Sequence, residues 1–220
     1  MLKLIEVSLP LDAVNEASAK EKSIHHGHPS TSHLYWARRP LAAVRAVIFA
    51  SLVDDPSEHP EKFPTQELQD EERERLFKIL SKLVKWENIN NKDLLAQAHE
   101  EILKSFGNDE ANLPELLDPF AGGGSIPLEG QRLGLKVHAH DLNPVAVMIN
   151  KAMIEIPPNY YDELPVNPEW RSNIDKGETG AHGTFGLASD VEYYANRLKS
   201  EAYKNSRIYI RKSRRLKATL

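Results

Sequence analysis

A nearly continuous apolar run predicts a buried helix in the first quarter of the chain. Residues 41–53 read LAAVRAVIFASLV and are apolar on almost every helical face, apart from Arg45 and Ser51. Pro40 suits the first position of this helix, because proline lacks the N–H group that the first turn leaves unpaired. A helix without a polar face must be covered by other elements, so we expect a sizeable core around it.

Two amphipathic patterns follow and predict a helical hairpin. Thr65 is suited to cap the first helix. The apolar positions of that helix form one stripe: Leu76, Ile79, Leu80, Leu83 and Val84. A second stripe lies between Asn91 and Phe106, and Gly107 is suited to end it. The remaining positions are rich in acids, so we expect an inserted hairpin over residues 54–113 with a solvated acidic back.

The pattern then changes to short strands alternating with helices. The predicted elements are a strand at 116–117, a helix at 126–133, a strand at 136–141 and a helix at 144–154. Pro157 and Pro158 are expected to stop the last of these helices. This order is typical of a parallel α/β sheet. Residues 165–187 are loop-like, and an amphipathic helix follows them.

Composition narrows the class of protein. The chain has 220 residues, of which 40% are hydrophobic and 27% charged, as in ordinary globular proteins. No apolar run approaches the roughly 20 residues of a membrane helix, and the absence of cysteine excludes disulfides and thiolate metal sites. We therefore expect a cytoplasmic protein without membrane association. The net charge is −4. Only the last two dozen residues, which we call the basic tail, offer the positive surface that a nucleic acid needs.

The turn after the first strand carries the most informative motif. The sequence ELLDPFAGGGSIPLEGQRLG, residues 115–134, leaves a strand, passes an aspartate and enters a helix through three glycines. Gly122 and Gly124 allow a tight turn and a close approach of a ligand to the backbone. Asp141 ends the next strand, 23 positions after Asp118, where an acid commonly holds the two hydroxyls of a ribose. We therefore expect a ligand that contains a nucleoside.

The kind of nucleoside follows from the rest of the turn. A dinucleotide fingerprint has a third glycine where this chain has Pro127, and the Gly-Lys-Ser/Thr of a phosphate loop is absent. Asp118 would also repel a pyrophosphate. S-adenosylmethionine fits better, because it has no phosphate and its carboxylate can lie against the N–H groups of the turn. Taken alone, the turn also fits a tight βα connection, and Asp141 fits a capping acid.

Three segments resemble a known family. The stretch DPFAGGG, residues 118–124, resembles the D-P-F-x-G-x-G cofactor motif of amino-directed DNA methyltransferases. Residues 28–52, HPSTSHLYWARRPLAAVRAVIFASL, are similar to an upstream HPTQKP-L segment that helps close the cofactor site in several of those enzymes. Together with a third segment, DLNPVAVMINKAMIEIPP at residues 141–158, these two segments resemble one family of prokaryotic adenine-specific DNA methyltransferases. Members of that family have an amino-terminal domain of unknown function and are often found at phage-defence loci. The resemblance extends over residues 1–205.

The resemblance implies roles for the matched residues. Four residues would shape the methionine end of the cofactor pocket: Asp118, Phe120, Gly122 and Gly124. Asp141 would hold the ribose, and Leu142 would lie against the adenine. Three upstream residues would close the pocket: Arg38, Arg39 and Pro40. The implied cofactor is S-adenosyl-L-methionine and the implied partner is DNA.

The sequence departs from the family pattern in two ways. The catalytic motif [DNS]-P-P-[YFW] is absent, so the catalytic residues stay unassigned, and we interpret Ile156–Asn159, IPPN, as a helix stop. Family chains also run far longer. We expect an amino-terminal fragment of a Rossmann-like α/β methyltransferase fold, incomplete at its carboxyl end. A basic arm that touches DNA is the alternative interpretation of the tail.

The expected function is the S-adenosylmethionine-binding part of a DNA adenine-N6 methyltransferase. The alternatives are an RNA guanine-N2 methyltransferase and a non-catalytic binding subunit that works with other proteins of a defence complex. The expected parts are an amino-terminal segment with the buried helix (1–53), the inserted acidic hairpin (54–113), a cofactor-binding βαβα unit (114–160), and a loop, amphipathic helix and basic tail (161–220).

Several residues upstream of the buried helix have more than one interpretation. Four histidines lie close together in sequence: His25, His26, His28 and His33. The usual zinc spacings are absent, so we expect a structural or substrate-facing role and no metal. Tyr35 and Trp36 fit either stacking on a base or buried packing. Arg38 and Arg39 fit pairing either with phosphate or with the cofactor carboxylate.

Overall fold

A computed structural model describes residues 2–25, 27–31, 33, 35–36, 38–174 and 182–217, excluding the side chains of residues 30, 172–174 and 207–217. Two compact units are present, Met1–Ile154 and Glu155–Leu220. The first unit contains α1 (Leu4–Val7), α2 (Leu11–Glu21), α3 (Leu41–Leu52), α4 (Gln66–Leu83), α5 (Lys92–Lys104), β1 (Leu116–Asp118), α6 (Ser125–Arg132), β2 (Val137–Ala139) and α7 (Pro144–Asn150). The second contains α8 (Ile156–Asn159), α9 (Pro168–Ile174) and α10 (Phe185–Lys217).

Helix α3 lies at the centre of the first unit and contacts α1, α2, α4, α5 and α6. Its Phe49 is completely buried, as the all-round apolar pattern predicts. The stripe predicted for α4 is buried in the same core, and Ala98 and Ile102 of α5 are buried with it. Thr65 caps α4 as expected, because its hydroxyl accepts a hydrogen bond from the Leu68 N–H. The predicted hairpin therefore covers α3 and supplies much of the core.

A buried ion pair links α3 to α6. Arg45 donates from Nε to Oε2 of Glu129 at 2.5 Å and from Nη1 to the carbonyl of Leu83 at 2.6 Å. Glu129 is fully buried, and its other oxygen accepts a hydrogen bond from Arg132 at 3.1 Å. Arg45, which interrupts the apolar pattern of α3, thus links this helix to α6, the helix that follows the glycine turn.

The start of α3 is held by a residue from another helix. Pro40 is the residue before the first turn, one position earlier than predicted. The Glu21 carboxylate, at the end of α2, accepts hydrogen bonds from the N–H groups of Leu41 at 3.0 Å and Ala42 at 3.1 Å. A negative charge at this position also interacts favourably with the helix dipole. Glu21 therefore brings together the two ends of the histidine-rich segment between α2 and α3.

The two strands pair in parallel, which confirms the predicted strand–helix–strand order. The register pairs Leu116 with Val137, Leu117 with His138 and Asp118 with Ala139. β1 is one residue longer than predicted, and β2 is shorter than the predicted 136–141. Helix α7 ends at Asn150, before the predicted end at residue 154, and continues as a π-helical turn, Lys151–Glu155. The prediction that Pro157 and Pro158 stop this helix is wrong. They lie in the first turn of α8, where a missing N–H breaks no hydrogen bond.

The second unit contains the long helix α10, which begins near the predicted position and extends to Lys217. Asn167 is buried beside it. The side chain of Asn167 caps α9 by accepting from the Trp170 N–H at 2.9 Å and donates to Asp190 of α10 at 2.9 Å. Within the described residues, no helix is both long and apolar enough to span a membrane.

Candidate cofactor site

The glycine turn joins the end of β1 to the start of α6. Asp118 is buried, and its carboxylate accepts a hydrogen bond from the Phe120 N–H at 3.1 Å, which starts the turn. Gly122 and Gly124 have φ angles of 51° and 77°, in the left-handed region that favours glycine. Gly124 is the residue before the first turn of α6. Because glycine has no side chain, it caps none of the backbone N–H groups at the start of this helix.

Asp141 holds the glycine turn against the end of β2. Its Oδ2 accepts a hydrogen bond from the Gly122 N–H at 2.8 Å, and its Oδ1 accepts one from the Asn143 N–H at 2.8 Å. These backbone N–H groups, first that of Asn143 and then that of Gly122, lower the pKa of Asp141, so the carboxylate is ionised. Asn143 itself caps α7, because its side chain accepts from the Val145 N–H. Asp141 thus stabilises the turn, and each oxygen keeps a lone pair for a further donor.

The upstream segment covers the same turn through Tyr35 and His33. A methyl group built on Gly122 would lie 2.9 Å from Cε1 of Tyr35. One built on Gly123 would lie 3.3 Å from Cβ of Tyr35 and 3.7 Å from Nε2 of His33. The Tyr35 side chain therefore lies directly against the glycine backbone, over a sequence separation that no local pattern reveals.

The other predicted site residues occupy more open positions. Arg38 and Arg39 are exposed, and Pro40 is partly buried at the start of α3. Trp36 is 99% exposed, so of the two aromatic residues Tyr35 is the one that packs. Two apolar side chains stand in solvent beside the carboxyl ends of the strands: Phe120 at 79% and Leu142 at 95% exposure. These are positions from which apolar groups can contact a ligand at this edge.

Two family models match the sequence. One, described as a protein of unknown function (DUF1156), covers residues 8–79 and therefore includes α2, α3 and most of α4. The other, described as a D12 class N6 adenine-specific DNA methyltransferase, covers residues 91–215 and includes the glycine turn, Asp141 and both strands. The chain belongs to the D12 class of adenine-specific DNA methyltransferases. No curated protein and no solved structure matches it.

The amino-terminal match and the D12 match meet physically at the glycine turn. Tyr35 and His33 come from the region of the first family model, whereas Gly122 and Gly123 come from that of the second. The Arg45–Glu129 pair joins the same two regions in the core. In this D12 chain, the amino-terminal family segment is thus part of the structure around the turn.

Sequence reasoning missed Asn150, the last residue of α7. Its side chain is buried and donates hydrogen bonds from Nδ2 to the carbonyl of Gly122 at 3.1 Å and to that of Ala146 at 2.8 Å. It therefore braces the glycine turn from the side of α7. The only signal in the sequence is one amide at the end of the apolar run VAVMIN, at a spacing of four from Ala146.

The histidines do not converge on one point in the described residues. His25 is exposed, His33 is near Gly123, and His26 lies outside the described residues. His28 is buried, with its ring centroid 4.5 Å from that of Trp86 and its Nε2 3.5 Å from Glu21. Throughout the described ranges, no group of three His, Asp or Glu side chains is arranged to hold a metal ion.

Burial lowers the pKa of His28 below its ordinary value. The charged residues that also influence it are Glu21, Arg38, Arg132 and Glu129. The unfolded chain takes up this proton first as the pH falls below about 6.5. The stabilising contribution is therefore present above that pH and is lost as the pH falls toward the lower pKa of the folded state.

We expect the free energy of unfolding to fall more between about pH 7.5 and about pH 5.5 in the wild type than in His28→Asn. Urea denaturation at each pH measures this difference. His25→Asn, a change at an exposed position, is the control and should keep the wild-type dependence. If His28→Asn and His25→Asn lose the same amount of stability on acidification, His28 is not the titrating group.

Proposed function

We propose that the chain binds S-adenosylmethionine at the glycine turn and forms the cofactor-binding part of a DNA adenine-N6 methyltransferase. The main support is the hydrogen bond between Asp141 and the Gly122 N–H, in a chain of the D12 class. It places an ionised carboxylate and a left-handed glycine turn side by side at the carboxyl edge of a parallel strand pair. Open α/β sheets bind their ligands at this edge.

The residues around the turn suit the parts of this cofactor. The N–H groups of the first turn of α6 attract a carboxylate. Asp141 has lone pairs left for ribose hydroxyls, and the exposed Leu142 offers an apolar contact for the adenine. Asp118 supplies negative charge near a sulfonium. The bound cofactor supplies the methyl group, and these residues hold it in place.

The upstream segment is proposed as the cover of this site. Tyr35 already lies on the glycine backbone, so an aromatic ring from the segment is in position to contact a bound ligand. We assign Arg38, Arg39 and Pro40 to the same cover, in which the guanidinium groups of the two arginines suit the cofactor carboxylate or DNA phosphate. In this proposal, the parts 1–53, 54–113 and 114–160 act together as the cofactor half of a Rossmann-like methyltransferase fold that is incomplete at its carboxyl end. Residues 161–220 are the loop, amphipathic helix and basic tail that follow it.

A non-catalytic subunit is the second candidate function. The printed sequence contains no D/N/S-P-P-aromatic motif, and IPPN forms only the short helix α8. In addition, Leu117 of β1 is 63% exposed, although the strands of parallel sheets are usually buried on both faces. As the second candidate, we propose that the groups that bind the target adenine come from outside these 220 residues and that this part acts as a binding subunit. Transfer of a labelled methyl group to duplex DNA, by this chain alone and with candidate partners, distinguishes an enzyme from a binding subunit.

Replacing Asp141 tests the cofactor site. We expect Asp141→Ala to weaken S-adenosylmethionine binding by at least about tenfold, because both the braced turn and the ribose acceptor are lost. Isothermal titration calorimetry measures the affinity. Asp12→Ala removes the same charge from an exposed position on α2 and should bind like the wild type. A wild-type protein that gives no binding heat, or that prefers NAD, contradicts the proposed function.

A further inference from the structure

The side-chain oxygen of Asn150 has no hydrogen-bond partner among the described residues, although it is buried. Asn150 is 5% exposed, and its Nδ2 donates to two carbonyl oxygens, those of Gly122 and Ala146. These two acceptors determine the orientation of the amide, because reversing it would place an oxygen against both carbonyls. The Oδ1 atom therefore faces the other way and is left without a donor. A buried acceptor in this state calls for a specific explanation.

The unpaired oxygen is directed at the start of α6. A methyl group built on Gly124 would lie 2.9 Å from Oδ1 of Asn150 and 3.6 Å from the terminal methyl of Met153. The space beside Gly124 is therefore bounded by an amide oxygen and a flexible thioether side chain. The first-turn N–H groups of α6 lie at the same place, and those of Ser125 and Ile126 are available there because Gly124 provides no cap. Pro127 has no N–H group.

These groups present an acceptor and several donors side by side. A free amino-acid end has the complementary pair, an ammonium that donates and a carboxylate that accepts. The N–H groups at a helix start favour the carboxylate, so the ammonium is the group left for the amide oxygen. The terminal methyl of Met153 borders the same space, and an unbranched thioether with three rotatable bonds adapts readily to a ligand there.

We propose that Oδ1 of Asn150 accepts a hydrogen bond from the α-ammonium of S-adenosylmethionine, which makes Asn150 a specificity-determining residue of the site. The inference rests on the proposed cofactor function and adds the residue that recognises the amino-acid end. It gives Asn150 two roles: its Nδ2 braces the turn through Gly122, and its Oδ1 selects a ligand with an amino group. Nucleosides without that group would leave the buried oxygen unpaired and would bind more weakly.

A pair of ligands tests the contact on the unmodified protein. Calorimetry compares S-adenosylmethionine with its deamino analogue, in which hydrogen replaces the α-ammonium. We expect the wild type to prefer S-adenosylmethionine by at least about tenfold, as for a hydrogen bond to a charged group. In Asn150→Leu, which keeps a similar volume, we expect the preference to fall within about twofold. Asn90→Leu, at an exposed position, should keep the wild-type preference.

The outcomes separate this inference from the proposed function. If the wild type binds neither ligand, both proposals fail. If it binds both equally well, the cofactor site stands and the role of Asn150 is wrong, as it is if Asn150→Leu keeps the tenfold preference. Should that variant fail to fold, the side-chain amide signals of Asn150 in the NMR spectrum of the wild type decide. They should shift with S-adenosylmethionine and not with the deamino analogue, and equal shifts overturn the inference.

Discussion

Replacing Arg45 by alanine is expected to lower the free energy of unfolding by about 3–5 kcal/mol. The guanidinium is 2% exposed and pairs with the fully buried Glu129. Its removal leaves a buried carboxylate with Arg132 as its remaining partner at 3.1 Å, and it also removes the donor to the Leu83 carbonyl. Desolvating a charge without full compensation is among the largest costs that a single substitution produces. Urea denaturation monitored by circular dichroism measures the change.

Two further variants show whether the loss of the partner is the cause. Lys78→Ala removes a cation from an exposed pair with Glu74 and should change stability by at most about 0.5 kcal/mol. The double variant Arg45→Met/Glu129→Leu removes both buried charges, and we expect it to be more stable than Arg45→Ala alone. If the double variant is no more stable than the single one, an uncompensated Glu129 is not the origin of the loss.

The variant Gly124→Ala is expected to lose about 2–4 kcal/mol of stability and to bind S-adenosylmethionine at least about tenfold more weakly. The φ angle of 77° is costly for a residue with a side chain. The added methyl would also lie 2.9 Å from Oδ1 of Asn150, whose amide is held by two carbonyls and cannot easily move away. The same methyl would fill the space beside the start of α6 that we assign to the ligand.

Gly107→Ala is a matched control for the backbone contribution. Its φ angle is 76°, nearly that of Gly124, but a methyl group there would meet nothing within 4 Å. We expect a loss of about 1–2 kcal/mol from the backbone alone and an unchanged cofactor affinity. Chemical denaturation and calorimetry on both variants separate the two effects. Equal losses of stability in the two variants would show that the contact with Asn150 is not strained.

The local features of the molecule could be predicted from the sequence. The stripe on α4 and the Thr65 cap depend on patterns within a few residues of each other, and the parallel order of β1 and β2 follows from a helix between two short strands. The glycine turn was recognisable because positive φ angles favour glycine at Gly122 and Gly124. The resemblance to adenine-specific DNA methyltransferases depends on this motif and on two further short segments, and the D12 match confirms it.

The contacts that hold the site together depend on pairs far apart in sequence. Arg45 and Glu129 are separated by 84 positions, and Gly122 and Asn150 by 28. Periodicity shows that Arg45 interrupts an apolar helix, but it cannot show which acid neutralises it. In the same way, nothing in the segment VAVMIN shows that its amide, Asn150, contacts Gly122, because that contact requires α7 to pack beside the turn. The end of α7 was also misjudged, because prolines fit the first turn of a following helix as well as a stop.

The sequence by itself determined the buried helix α3, the two helices that cover it, the βα turn and the aspartate at the end of β2. These follow from side-chain period and from the backbone freedom of glycine, which are properties of short segments. Only the tertiary structure decided that Asp141 holds the Gly122 N–H, that Tyr35 covers the turn and that Asn150 faces Gly124. Such contacts form when packing brings groups that are far apart in sequence to within about 3 Å of each other. The pattern within a short segment does not specify the partner.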